Sequence, residues 1–482
     1  MSFLTFIAPA CAEVFLLCAA CAILVIDLFV DDAQRGISYT LTLLALAGCF
    51  VLTWLGLSEE QYAFNDMFVA DPMAALIKLS IYLAVAVTLV YARPYVQARG
   101  MFRGEFFVLI LFATLGMMVM VSANHLLTLY LGLELLALAL YGLVALQRDS
   151  TAATEAAMKY FVLGALASGM LLYGMSMLYG ATGSLGLTDM ADAIANDSAD
   201  KVVLAFALVF IISGIGFKLG AVPFHMWVPD VYQGAPTAVA LFISSVPKLA
   251  AFAFIMRILV TGLGADWLVA QWQWMLIVMA VLSLAIGSIT AIAQTNLKRM
   301  LAYSTISHMG FLLLGILSGS DEGFASAMFY VMVYALMNLG AFGMILLLAR
   351  PGFEADTLDD FRGLNQRSPW YAGMMLLIMF SMAGIPPLVG FYAKLSVLWA
   401  VVDAGYLWLA VVAVLFSLVS AFYYLRVVRL MYFEPPLDPS PITAPAATRW
   451  VLSLNGLLML VFGVLPGPLM TLCDYSIELS LQ

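Results

Sequence analysis

Long apolar runs separated by short polar connections make up most of this sequence. A helix that crosses a bilayer needs about 20 apolar residues, and fourteen candidate runs can be recognised. They cover residues 6–30, 37–57, 71–92, 105–121, 126–147, 156–180, 202–221, 236–260, 272–293, 299–318, 324–349, 370–398, 405–431 and 449–472. The pattern predicts an all-α polytopic membrane protein with about 14 transmembrane helices, because helices satisfy their own backbone groups in lipid.

The composition supports a membrane protein and narrows its ligands. Of the 482 residues, 64% are hydrophobic and 10% are charged, whereas a soluble domain carries about 25% charged residues. The net charge of −9 and the lack of a clustered basic stretch argue against a nucleic-acid partner. Cys18 and Cys21 have CxxC spacing, but no second pair or histidine follows nearby. We therefore expect no metal site and no cofactor-binding site in this chain.

The basic residues predict the orientation of the helices. If successive spans alternate in direction, one side holds only Lys201 and Arg257, with acidic connections such as "DMADAIANDSADK". Positive charge marks the cytoplasmic side, so both termini are predicted to face outward. The basic side comprises Arg35, Arg93, Arg99, Arg103, Arg148, Lys298, Arg299, Arg350, Arg362, Arg367, Arg426, Arg429 and Arg449.

The chain also resembles itself at a shift of 170 residues. Ala157, Met158 and Tyr160 match Ala327, Met328 and Tyr330, and Phe210, Gly214 and Ile215 match Phe380, Gly384 and Ile385. Two separated blocks at one shift indicate a duplicated bundle of about five helices, as found in transporter folds. Prolines are expected to break one helix in each copy, and they are Pro223 and Pro229 in the first and Pro386 and Pro387 in the second.

Lysine and arginine are distributed differently along the chain. All thirteen arginines fall in connections or near helix ends, whereas five of the seven lysines lie inside apolar spans. A charge at bilayer depth costs about 2.5 to 3.5 kcal/mol, and a buried lysine, unlike arginine, can release its proton. The distribution therefore favours a role in proton transfer for some of Lys78, Lys159, Lys218, Lys248 and Lys394.

Glu134 is the most deeply placed carboxylate, in the run "LYLGLELLALALYGL". A glutamate beside a lysine favours the charged form of both, and separation lets the lysine give up its proton. His225 and His308 lie in or near spans and are candidates to bridge lysines through water. We predict a proton relay of these groups, with Glu134 controlling its first lysine.

Structural interpretations of the same residues remain open at this point. Lys78 is near enough to its helix end to reach the outer interface. Lys159 is similarly close to the basic side. Lys218 or Lys248 could form a fixed ion pair with Glu134 that only holds helices together.

Three segments resemble a known family. They are "KLGAVPFHMWVPDVYQGAPTAVALFISSVPKLA" from Lys218, "NLKRMLAYSTISHMGFLLLG" and "GIPPLVGFYAKLSVLWA". They are similar to the subunit N family of the proton-pumping NADH:quinone oxidoreductase, respiratory complex I, and the lysine after "GFYA" points to subunit N among its antiporter-like subunits. The family segment more often reads "VYEGAPTPV", whereas this chain has Gln233 and Ala238.

The resemblance implies two inverted five-helix repeats with broken seventh and twelfth helices. It implies a proton channel at Glu134, Lys218, Lys248 and Lys394, with His225 and Lys159 as relay members. It also implies that no redox cofactor binds here, while FMN, iron–sulfur clusters and quinone belong to partner subunits. The expected surroundings are a bacterial inner membrane with periplasmic termini, and the expected partners are neighbouring antiporter-like and small membrane subunits.

These observations combine into one leading hypothesis. We expect an N-terminal three-helix segment at 1–104, a first repeat at 105–260, a second repeat at 261–431 and a linker with the last helix at 432–482. The chain would be a non-redox, proton-translocating subunit of the oxidoreductase, driven by quinone reduction elsewhere and not catalytic alone. The alternatives are a subunit of a cation/proton antiporter or membrane-bound hydrogenase, and a structural spacer.

Overall fold

The computed structural model describes residues 8–31, 34–57, 60–196 and 199–481. Over these ranges the protein forms nineteen α-helices and one short β-hairpin. A 3-10 turn at Ala8–Ala10 precedes the N-terminal helices, which are α1 (Cys11–Asp27), α2 (Gly36–Leu55) and α3 (Pro72–Ala98). Asp71 begins α3 by accepting a hydrogen bond from the Ala74 N–H at 2.8 Å.

The hairpin was not predicted by the helical pattern. Its strands β1 (Gln61–Ala63) and β2 (Phe68–Ala70) are antiparallel, with Tyr62 opposite Val69. Strands of three residues are too short to show an alternating pattern of apolar residues. The hairpin joins α2 to α3 and packs against the N-terminal 3-10 turn.

The central helices follow in two groups. The first comprises α4 (Gly104–Val121), α5 (Leu126–Val144), α6 (Thr151–Thr182), α7 (Leu187–Ala195), α8 (Lys201–Leu219), α9 (Trp227–Gly234) and α10 (Thr237–Ile255), which a π-helical segment extends over Met256–Gly262. The second comprises α11 (Asp266–Ile292), α12 (Leu297–Leu317), α13 (Asp321–Leu348), a 3-10 turn (Leu358–Phe361), α14 (Leu364–Arg367), α15 (Pro369–Ala383), α16 (Val389–Asp403) and α17 (Leu407–Phe433). The chain ends with α18 (Ala446–Val464) and α19 (Gly467–Ser480).

Thirteen helical segments within the described ranges are long and apolar enough to cross a membrane. They match thirteen of the predicted spans, and the remaining one, 370–398, is divided between α15 and α16. The last predicted span, 449–472, runs past the end of α18 at Val464, because the chain breaks before Pro466 and continues as α19. Proline lacks the N–H that would continue the first helix.

Both predicted interruptions are present. The helix α8 ends at Leu219 and α15 ends at Ala383, each followed by a glycine with positive φ, Gly220 at 76° and Gly384 at 85°. Glycine adopts this left-handed conformation without a Cβ penalty. Of the first pair of prolines only Pro223 lies in the interruption, whereas Pro229 lies within the first turn of α9.

The internal repeat needs one correction. The N-terminal caps of α6 and α13 are Ser150 and Ser320, at the predicted shift of 170 residues. The left-handed glycines Gly220 and Gly384 are 164 residues apart. Gly214 lies inside α8, so its predicted match with Gly384 is wrong by six positions. The sequence match therefore located the duplication but misaligned its broken helices.

The core lies where α10, α12 and α13 pack together. Their most apolar windows are 100%, 94% and 89% buried, whereas the corresponding windows of α1 and α2 are each 33% buried. At one end of the bundle the Met73 N–H donates to Ser480 Oγ at 3.0 Å, beside the hairpin. Because the N-terminal turn also contacts that hairpin, both ends of the described chain lie at the same end of the bundle.

Candidate functional site

Lys248 lies on α10, the most enclosed helix, and is 1% exposed. Its Nζ donates to Lys218 O at 3.2 Å and Leu219 O at 2.8 Å, the last carbonyls of α8 before the break. The same nitrogen lies 5.4 Å from the centre of the Trp227 ring. A carbonyl pair and an aromatic face therefore lie close to this amine.

Lys394 occupies a similar environment in the second repeat. It is 6% exposed, and its Nζ donates to Met382 O at 3.1 Å and Ala383 O at 3.0 Å, the last carbonyls of α15. Ser417 Oγ on α17 lies 2.9 Å from the same nitrogen. At the first break the free carbonyls bind Lys248, which comes from the separate helix α10. At the second break they bind Lys394, which lies on α16 just after the break.

The two environments follow from the broken helices. The last carbonyls of a helix have no intrahelical donor, and the aligned peptide dipoles make this end negative. A lysine ammonium donates three hydrogen bonds, and a neutral amine still has two N–H groups for two carbonyls. At Lys394 the Ser417 hydroxyl can accept from the ammonium or donate to the neutral amine. This geometry can hold the lysine with or without its extra proton.

Lys218 lies in the last turn of α8, and its Nζ is 3.5 Å from Ser168 Oγ. Lys218 and Lys248 line one cavity of about 30 Å³ between α5, α8 and α10, together with Tyr160 and Trp227. A cavity of this size is large enough for a water molecule. The structure therefore brings these two predicted lysines to one small, enclosed space.

Glu134 lies on α5 and is half-buried. It is near enough to Lys218 to interact with it electrostatically, but the described residues include no ion-pair partner within bonding distance for its carboxylate. Its Oε1 is buried and has no hydrogen-bond partner among them. The alternative of a fixed Glu134–lysine ion pair is not found in this structure.

His308 is buried between two tyrosines of the second repeat. Its Nδ1 lies 2.6 Å from Tyr330 OH, and its Nε2 lies 3.1 Å from Tyr424 OH. Tyr424 OH is also 2.5 Å from Ser304 Oγ. Tyr424 lies two turns beyond Ser417 on α17, so the same helix contacts both His308 and Lys394.

A second set of polar groups connects α10 to α12 and was not predicted. Tyr334 OH lies 3.1 Å from Ser244 O and 2.8 Å from Thr305 Oγ1, so its one proton has two acceptors within reach. Asn338 Nδ2 donates to Ser244 O at 3.1 Å. Ser244 lies one turn before Lys248, and Thr305 lies one turn before His308. Tyrosine and asparagine in an apolar run carry no spacing signal that marks them for such a role.

Two predicted relay residues lie outside these contacts. Lys159 is exposed and pairs with Glu155 at 2.9 Å and with Asp230 at 2.7 Å, and Asp230 also binds Arg299 at 2.8 Å. His225 lies in the break between α8 and α9, with a buried Nδ1 that has no hydrogen-bond partner in the described ranges. Those ranges also contain no group of three His, Cys, Asp or Glu residues placed to hold a metal ion.

Three further basic residues differ from their sequence interpretation. Lys78 does not reach the interface, because it is 4% exposed and pairs with the buried Glu13 at 2.5 Å. Arg257 is also buried and pairs with Asp71 at 2.6 Å. Lys298 was assigned to a connection, yet it is 3% exposed and donates to Ala235 O at 3.0 Å. The sequence interpretation assumed that these three charged groups need contact with water. An ion pair or a backbone carbonyl takes the place of that contact inside the bundle.

A duplicated bundle with broken helices and buried lysines defines an antiporter-like membrane protein. The family model described as "NADH:quinone oxidoreductase/Mrp antiporter, TM" matches residues 123–420. NADH-quinone oxidoreductase subunit N of Thiobacillus denitrificans is 62% identical over 98% of both chains. This chain belongs to the subunit N family of NADH-quinone oxidoreductase.

Solved structures agree with this assignment. A chain of respiratory complex I from Thermus thermophilus is 32% identical with a TM-score of 0.82, over 95% of this chain and 98% of that one. A chain of the Mrp complex from Dietzia sp. has a TM-score of 0.85 at 22% identity, over 99% of this chain and 97% of that one. The second comparison shows a shared fold.

Proposed function

We propose that this chain is a proton-translocating membrane subunit of an NADH:quinone oxidoreductase. Its relay would comprise Glu134, Lys218, Lys248 and Lys394, with His308 between the last two lysines. The family membership supports the complex, and the two lysine environments support the relay. The single observation that carries the proposal is that Lys248 and Lys394 are buried against free helix-end carbonyls and, among the described residues, form no ion pair.

The relay would begin at the cavity shared by Lys218 and Lys248. Glu134 would favour the charged form of Lys218 when the two groups are close. When Glu134 moves away, Lys218 would give up its proton more easily. From Lys248 the proton would travel through water past the Tyr334 hydroxyl to His308, and again through water along α17, where Tyr424 contacts His308 and Ser417 contacts Lys394. Lys159 and His225 would then be peripheral members, at the two sides of the first broken helix.

The energy for this movement would come from other subunits. Moving one charge against 100 mV costs about 2.3 kcal/mol, and this chain would supply no redox step of its own. FMN, iron–sulfur clusters and quinone would belong to partner subunits, so the chain would not be catalytic alone. The membrane would be a bacterial inner membrane, with the basic connections in the cytoplasm and both termini in the periplasm.

Replacing Lys218 by alanine in the whole complex tests the proposal against a spacer role. With normal assembly, the proton-to-electron ratio or the coupled quinone-reduction rate should fall, because the cavity loses one of its two amines. Arg148→Ala is the matched control, since Arg148 is exposed and outside the relay. Unchanged pumping and turnover in assembled Lys218→Ala would identify a passive spacer.

A cation/proton antiporter subunit is the second candidate, because the matching family model includes Mrp antiporters. Deleting the chain separates the two. Loss of NADH-dependent quinone reduction or of its coupled pumping is expected for the oxidoreductase subunit. Loss of sodium or pH tolerance alone, with respiration unaffected, would favour the antiporter.

A further inference from the structure

A cleft of about 960 Å³ opens between the first turns of α15 and α18 and the linker that precedes α18. Both helices begin there, so the cleft lies at the end of the apolar bundle that carries most of the basic connections. Its polar wall includes Arg449, Thr443 and Ser368. Its aromatic wall includes Trp370 and Trp450. None of these residues takes part in the proposed proton relay.

The charge of this cleft is positive and uncompensated. Arg449 is exposed, its side chain makes no ion pair or hydrogen bond with any described residue, and the cleft has no carboxylate in its lining. A second cleft, of about 740 Å³, is lined by Arg99, Arg103 and Arg148 and also by Glu105 and Asp149. In the first cleft no carboxylate competes with an anion for Arg449, whereas in the second two carboxylates offset two of the three arginines.

An apolar surface continues from the cleft along α18. Trp450 is 77% exposed, Leu454 59% and Leu457 40%, and these positions recur at the spacing of one helix face. Trp370 Nε1 donates to Ser453 Oγ at 2.8 Å, which fixes one aromatic wall against α18. Tryptophan is enriched where lipid headgroups meet acyl chains, and basic side chains at that depth attract anionic lipids.

We propose that this cleft binds an anionic phospholipid from the membrane. The phosphate would pair with the Arg449 guanidinium and accept a hydrogen bond from the Thr443 hydroxyl. One acyl chain would lie along Trp450, Leu454 and Leu457. The arrangement explains why an unpaired arginine, two exposed tryptophans and a leucine stripe occur together at one helix end.

Photoreactive lipids test the site in the intact complex. Nanodiscs would contain a phosphatidylglycerol or a phosphatidylcholine with the same photoreactive acyl chain, and labelled peptides would be mapped by mass spectrometry. Phosphatidylglycerol should label residues 450–457 about fivefold more strongly, as expected for about 1 kcal/mol from one basic residue. The apolar groove around Trp399, Leu407 and Val411 contains no charged residue and should show no headgroup preference.

Arg449→Ala should abolish the headgroup preference at 450–457, and the matched variant Arg148→Ala should retain it. Equal labelling by the two lipids in the unmodified complex would overturn the proposal. Absence of label from 450–457 with either lipid would also overturn it and would indicate that a protein partner covers the cleft. Comparable yields of the assembled complex for both variants exclude misfolding as the cause.

Discussion

Replacing Lys394 by methionine removes the amine and keeps an unbranched side chain of similar length. The Nζ now donates to Met382 O at 3.1 Å and Ala383 O at 3.0 Å. Each buried carbonyl left without its donor costs about 1 to 3 kcal/mol. When Lys394 carries its extra proton, removing that charge from bilayer depth favours the variant by about 2.5 to 3.5 kcal/mol. The two effects are of similar size, so we expect the Lys394→Met protein to assemble.

Proton transfer should nevertheless be slow in this variant. A proton would have to pass the break between α15 and α16 without a basic group, at a cost of about 2.5 to 3.5 kcal/mol. A barrier increase of that size lowers a rate about a hundredfold. The assay is coupled quinone reduction and the proton-to-electron ratio of the complex in sealed proteoliposomes.

Ser417→Ala is the matched control for Lys394→Met. It keeps the amine and both carbonyls and removes one contact, at 2.9 Å from Nζ. A net loss of about 1 kcal/mol corresponds to about a fivefold effect. An assembled Lys394→Met complex with normal turnover and a normal proton-to-electron ratio would refute the reasoning, because the amine would then be dispensable.

Three other predictions follow from contacts outside the breaks. Asp71→Asn leaves the Arg257 charge buried without its partner, and we expect a loss of about 3 to 5 kcal/mol, measured as a lower unfolding temperature of the complex; an unchanged temperature would contradict this. Tyr424→Phe removes the hydroxyl beside His308 and should slow pumping without lowering the yield of assembled complex, whereas normal pumping would exclude Tyr424 from the path. Hydrogen bonds from the Ser440 backbone and side chain and from Arg350 lower the pKa of Asp438. The attachment of the 434–445 linker should therefore persist at neutral pH and be lost only on acidification below the ordinary carboxyl range. Protease sensitivity of the linker measures this attachment, and a rise already near neutral pH would contradict the prediction.

The helices and their breaks were largely predictable because lipid imposes long apolar runs and proline removes a backbone donor. The prolines located both interruptions, although Pro229 proved to lie within a helix. The end of the last span was misplaced because hydropathy alone does not register the break before Pro466. The six-position error in the repeat arose because chance matches inside α8 resembled the true capping glycine.

The candidate site was predictable only in part. Charge in an apolar run marked Glu134, Lys218, Lys248 and Lys394 as candidates, as it did Lys78 and Lys159, because ionisable groups at bilayer depth are costly and therefore informative. Sequence could not show that the two buried lysines bind carbonyls of broken helices, since those partners are backbone atoms.

Other errors have the same origin. Lys78 looked near enough to the interface to reach water, but Glu13 lies on a neighbouring helix and pairs with it inside the bundle. Tyr334 and Asn338 were missed because neither carries a charge and only packing aligns them with Ser244. Contacts between distant segments, rather than local propensity, decide these roles.

The proton-to-electron ratio of a double variant tests most directly whether Lys248 and Lys394 belong to one path. Lys248→Met, Lys394→Met and the double variant would be compared as assembled complexes in sealed proteoliposomes. Steps in series block the same proton, so the account predicts that the double variant pumps as well as the more impaired single variant. A double variant whose proton-to-electron ratio falls by the sum of the two single losses would contradict a single relay. Full pumping in all three variants would also contradict it.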